Sequence, residues 1–175
     1  MSGDQSSWRG GGPVWRKPVS WLPHAVREPH GPVRSVLVGW LTAFVPSMAL
    51  SAILSQLLPT AEQPQFDMAG PQALLLIVIM APVVETLIMG GVLAILLRFV
   101  SPTAAVLVSS LGWGIAHSLA APIWGLVIWW PFLVFSTLFV SWRRRSVLAA
   151  LSIAAATHVL QNLLPALLLF AGLSE

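Results

Sequence analysis

Five long apolar runs, at about 36–58, 73–97, 103–120, 123–142 and 146–170, constrain this chain more than any motif in it. Each is close to the roughly 20 residues that carry a helix across a bilayer. Inside lipid every backbone N–H and C=O must find its partner within the protein, which leaves only helices and closed barrels. Unbroken runs of this length do not alternate as barrel strands would. The expected fold is therefore an all-α integral membrane protein, a polytopic bundle of about five transmembrane helices. With 57% hydrophobic and only 9% charged residues, the composition is not that of a soluble domain.

Residues 1–35 are of another kind. They hold many Pro and Gly, three tryptophans (Trp8, Trp15 and Trp21) and five of the nine basic residues. The reading is a flexible basic tail, with its indoles at headgroup level and no signal peptide. Residues 36–175 then form the transmembrane domain. Pro46 lies inside the first run, and Pro165 is a candidate break in the last. No cysteine is present, which excludes disulfides, thiolate nucleophiles and cysteine metal sites.

The net charge of +3 does not point to nucleic acid, because the basic residues cluster beside the apolar runs. If the N-terminus is cytoplasmic and five helices alternate, the tail, Arg98 and Arg143–Arg145 all fall inside. Glu62, Asp67 and the C-terminal Glu175 fall outside, as the positive-inside rule favours.

Glu85 stands alone in the second run, the only carboxylate between Asp67 and Glu175. An ionisable group at that depth costs about 2.5–3.5 kcal/mol on insertion scales and is a functional hypothesis by default. The other costly groups in the spans are His117, His158 and Asn162. At about 1.5 Å per residue from each cytoplasmic end, these four lie about 18–24 Å deep. His158 and Asn162 are four residues apart and share a helix face, as do Trp113 and His117. Gly90, Gly91, Gly112 and Gly114 permit close helix approach. Pro82 is expected to kink the helix beside Glu85.

A carboxylate with an imidazole can orient water and take its proton. A second His with an Asn can donate to a developing oxyanion. That is equipment for amide hydrolysis. Ser109, Ser110 and Ser118 are alternative nucleophiles, without an accompanying base motif to promote them.

These motifs resemble the CAAX prenyl protease and bacteriocin-processing (CPBP, or Abi) family of intramembrane proteases. The family frame Ala-Pro-x-x-Glu-Glu-x-x-x-Arg-Gly aligns with residues 81–91, the aromatic-x-x-x-His motif with Trp113 and His117, and His-x-x-x-Asn with His158 and Asn162. The resemblance spans about residues 75–170. It implies that Glu85 and His117 activate water and that His158 and Asn162 form the oxyanion hole; Trp113, Thr86 and Met89 are expected to line the substrate pocket. Two positions depart from the pattern: Thr86 stands where the second Glu would be, and Gly90 where the Arg would be.

The leading expectation is a cofactor-free, membrane-embedded endopeptidase acting on a peptide or a membrane-proximal protein tail. The alternative is a catalytically inactive relative, a partner-binding or immunity-type membrane protein. A zinc site built from Glu85, His117 and His158 is a third reading, although no HExxH helix is present. A proton relay or transporter would also use buried Glu and His, but no internal repeat supports one.

The topology is open to a direct test. A single cysteine introduced in the 59–72 loop is expected to react with a membrane-impermeant reagent on intact cells. Labelling only from the cytoplasmic side overturns the orientation.

Overall fold

The computed structural model describes residues 19, 21–62, 70–170 and 172. Trp8, Trp15, Asp67 and Glu175, used above for the tail and the topology, lie outside the described residues. A short helix α1 (His24–Arg27) leads into α2 (Pro32–Leu57). Next comes one continuous rod built of α3 (Gly70–Leu75), a π-helical turn (Leu76–Met80) and α4 (Ala81–Leu96). Helices α5 (Pro102–Ser118), α6 (Pro122–Trp142) and α7 (Val147–Phe170) complete the bundle. No strand occurs among the described residues.

The chain is an all-α polytopic membrane protein. The rod Gly70–Leu96 and helices α2, α6 and α7 are each long and apolar enough to cross a bilayer. Helix α5 is shorter than the run suggested. Its 17 residues reach about 25 Å, somewhat less than a hydrocarbon core of about 30 Å. Proline fixes where these helices begin: Pro32, Pro102 and Pro122 occupy first-turn positions, where a missing N–H costs nothing. The Ser101 hydroxyl caps α5 by accepting from the Ala104 N–H.

Helix α6 is the centre. Every residue from Pro131 to Trp142 is buried, as befits a helix apolar on all sides. Around it the usual polarity of a helix is inverted. On α2 the inward stripe is small, Ser35, Gly39, Ala43 and Ser47, while Val33, Leu37, Leu41 and Val45 face outward. Small residues let backbones approach, and large apolar ones suit lipid. A Cβ added at Gly39 would lie 2.9 Å from Leu138 of α6. One added at Gly90 would lie 2.9 Å from Leu151 and 3.1 Å from the Phe139 ring. The start of α2, the later part of α4 and the end of α6 therefore share one end of the bundle.

Two expectations are corrected here. From Val19 onward the described part of the tail is not loose. Val19, Leu22 and Val26 are buried against the bundle, the Ser35 hydroxyl donates to the Ala25 carbonyl (2.7 Å), and Trp21 stacks on Trp130 of α6 (5.2 Å). Helix α7 also runs through Pro165 without a break. Interior prolines are tolerated in such helices because neighbours can satisfy the freed carbonyls. Pro46 shows how: the carbonyl one turn back, Thr42, accepts instead from the Trp130 indole N–H (2.9 Å).

Helices α5 and α6 meet most tightly at Gly114 and Gly125, where a Cβ on Gly125 would strike the Ser118 hydroxyl and the Gly114 carbonyl. Gly125→Ala is expected to lower stability by about 1–3 kcal/mol, the usual cost of overpacking. Gly91→Ala and Gly112→Ala, which have open space for the new methyl, are expected to behave as the parent. Thermal unfolding in detergent would distinguish them; equal stability for all three contradicts the close approach.

Candidate active site

The bundle holds a cavity of about 350 Å³ between α2, the π turn, the junction of α5 with α6, and α7. Glu85, His117, His158 and Asn162 all line it. Three separate helices thus deliver the four costly groups of the spans to one space, at the common level their depths implied.

The rod containing Glu85 owes its shape to Pro82. In the π register the Ala81 N–H bonds to the Leu76 carbonyl, five residues back. The next N–H in that register would reach Ile77, but residue 82 is proline and has none. The Ile77 carbonyl is left over, and it accepts from the Asn162 amide across the cavity wall (3.1 Å). The proline is accommodated by a π turn, with an interhelical hydrogen bond taking up the spare acceptor. It also ties Asn162 firmly to the helix that carries Glu85. One amide N–H is used in this way, and one remains.

Glu85 pairs with His158: Oε2 lies 3.5 Å from Nε2, with the carboxylate side chain 26% exposed to the cavity and the imidazole almost wholly enclosed. The carboxylate's histidine partner is thus His158 rather than His117. The other ring nitrogen, Nδ1, is 3.4 Å from the Thr86 hydroxyl. Phe135 stacks on this imidazole (4.6 Å) and the Phe132 edge meets it (5.2 Å).

His117 is held differently. Its Nδ1 lies 2.8 Å from the Trp113 carbonyl, which can only accept, so Nδ1 carries the proton. In the neutral ring Nε2 is then an acceptor. The Phe132 ring touches both histidines and stacks on Trp113 (4.4 Å), a spacer fixing their separation.

Trp113, Thr86 and Met89 do not line the cavity. Thr86 braces His158 from behind, Trp113 acts through Phe132 and the His117 bond, and Met89 is fully buried in the core. Gly90 packs against Phe139 and Leu151, so the space a long side chain would need there is filled. Among the described residues no group of three or more His, Cys, Asp and Glu side chains is disposed to hold a metal ion.

Two features escaped the sequence reading. Ser47, Ser51 and Ser55 form a hydroxyl stripe on α2 along the cavity, its signal being only a four-residue spacing. Gln161 also lines the cavity, 6% exposed, and donates from Nε2 to the Ser47 hydroxyl (3.0 Å).

Asn162→Ala is expected to destabilise the fold by about 1–3 kcal/mol, because it strands the half-buried Ile77 carbonyl. Pro82→Ala returns an N–H that reaches Ile77, so the double variant is expected to recover part of that loss. Additive losses in a double-mutant cycle read by unfolding contradict the coupling.

No protein-family model, no curated protein and no solved structure matches this chain.

Proposed function

We propose that the protein is a membrane-embedded endopeptidase that hydrolyses a peptide bond with a Glu85-activated water. The observation that carries this reading is the convergence of Glu85, His117, His158 and Asn162 on one cavity of a size that suits ligands. The resemblance to the CPBP proteases points to the same four residues.

The geometry favours a division of labour. His158 orients the Glu85 carboxylate. Water between that carboxylate and His117 Nε2 gives its proton to Glu85 as its oxygen attacks the carbonyl carbon. The remaining Asn162 N–H donates to the oxyanion, which is where such a donor is worth most. When the intermediate collapses, the C–N bond breaks and Glu85 returns the proton to the leaving amine. The resemblance alone would assign His158 to the oxyanion hole; its pairing with Glu85 favours the orienting role instead.

The cavity lies towards the end of the bundle that holds the end of α2 and the α5–α6 turn, away from Arg98 and Arg143–Arg145. With those arginines inside, the site is in the outer half of the membrane. The substrate is then an apolar peptide or a membrane-proximal protein segment on that side.

One observation favours a second reading, a catalytically silent relative that binds a membrane partner. Asn162 has a complete structural reason to be present in its bond to Ile77, and Thr86 and Gly90 complete a packed rather than a charged surround.

Glu85→Gln preserves shape but removes proton acceptance, so turnover of a peptide is expected to fall by about two to four orders of magnitude, with folded protein unchanged. His117→Ala is expected to do likewise. Prolonged chelation is expected to leave turnover intact, whereas a zinc enzyme would lose it and regain it with added zinc. If Glu85→Gln supports the same cellular phenotype as the parent, the binding reading replaces the proteolytic one.

A further inference from the structure

A second cavity, of about 290 Å³, lies at the arginine-bearing end of the bundle. It is lined by Leu97 just after α4, Pro102 at the start of α5, Val140 near the end of α6, and Arg143 and Arg144 just beyond it. One buried contact explains why these residues meet. The Ser136 hydroxyl of α6 donates to Ser109 of α5 (3.2 Å), which sets the two helices level at that pair. The helices run antiparallel. Seven residues back along α5 and seven on along α6, about 10 Å in each case, Pro102 comes level with Arg143. The result is an apolar floor under a cationic rim, and both arginines of the rim are exposed. Arg145 is drawn aside, with its Cζ 5.5 Å from the centre of the Trp142 ring. The three arginines that read as one topology signal along the chain therefore divide, two at the cavity and one on an indole.

We infer that this cavity is a binding site for the phosphate of an anionic phospholipid. A guanidinium presents its N–H groups as a fork that matches phosphate oxygens, and two neighbouring forks can hold one phosphodiester from both sides. Adjacent cations also repel, and an anion between them relieves that repulsion. The floor decides the source of the phosphate. Leu97, Pro102 and Val140 offer a free phosphate ion nothing, but they suit the glycerol and first acyl carbons of a lipid whose phosphate sits at the rim. Basic pockets between membrane helices take lipid headgroups in this way. A lipid held there ties the turn between α4 and α5 to the end of α6, at the opposite end of the bundle from the Glu85 cavity. The inference does not depend on the proteolytic reading.

The probe is dioleoylphosphatidylglycerol, titrated into the full chain in neutral detergent micelles, with bound lipids counted by native mass spectrometry. The first lipid is expected to bind about tenfold more tightly than dioleoylphosphatidylcholine, whose choline cancels the charge. Arg143→Gln with Arg144→Gln should weaken phosphatidylglycerol by about ten- to a hundredfold and abolish the headgroup preference. Arg34→Gln with Arg145→Gln removes the same charge from the same end but outside the cavity, and should bind as the parent does. Arg143→Lys with Arg144→Lys keeps the charge without the forks; it should lose part of the affinity, and it decides the matter if the glutamine pair does not fold. The inference is overturned if the two lipids bind equally, if the Arg34 and Arg145 pair costs as much as the cavity pair, or if the lysine pair matches the parent. Displacement of the lipid by an equal concentration of soluble glycerophosphoglycerol overturns it too, because the ligand is then a free phosphate ester.

Discussion

The hydrogen bond from Asn162 to the Ile77 carbonyl is the interaction on which the site depends. In lipid no water stands ready to satisfy a stray backbone group, so each interior proline creates a debt that another helix must meet. Pro82 creates one within the rod that carries Glu85, and α7 meets it with an amide. That bond sets how far α7 sits from the rod, and with it the approach of His158 to Glu85. Pro46 and Trp130 repeat the arrangement between α2 and α6. Prolines that look like breaks along the sequence act as attachment points between helices.

Packing reinforces this geometry from the other side. Gly90 lets α4 close onto Phe139 and Leu151, and Phe132 and Phe135 of the buried central helix press on the histidines. A bundle this close has no room for a guanidinium at Gly90. The carboxylate is left with the His158 imidazole as its partner, and that ring is held by the Thr86 hydroxyl and by aromatic contact.

Much of this was legible along the chain. Apolar run lengths located the helices, and the positions of Glu85, His158 and Asn162 within those runs implied a shared level. What was not legible depended on partners. The π turn is invisible because Leu76–Met80 has the same composition as any lipid-facing turn. Gln161 reads as one more polar residue until Ser47 is seen opposite it. The packing of Val19, Leu22 and Val26 was hidden by a Pro- and Gly-rich setting that suggests a tail. Thr86 and Met89, expected at the substrate pocket, are directed to the core by the helical turn.

The placement of α7 has a consequence for biogenesis. Ribosomes make chains from the N-terminus, so α2, the Glu85 rod, α5 and α6 all enter the membrane before α7. His158, Gln161 and Asn162 arrive together on that later helix, and until it docks Glu85 lacks its paired histidine and the cavity has no closing wall. A partly synthesised chain therefore carries a lone carboxyl group in an open groove. Whatever chemistry the finished bundle performs is withheld from the nascent one by the order of synthesis alone.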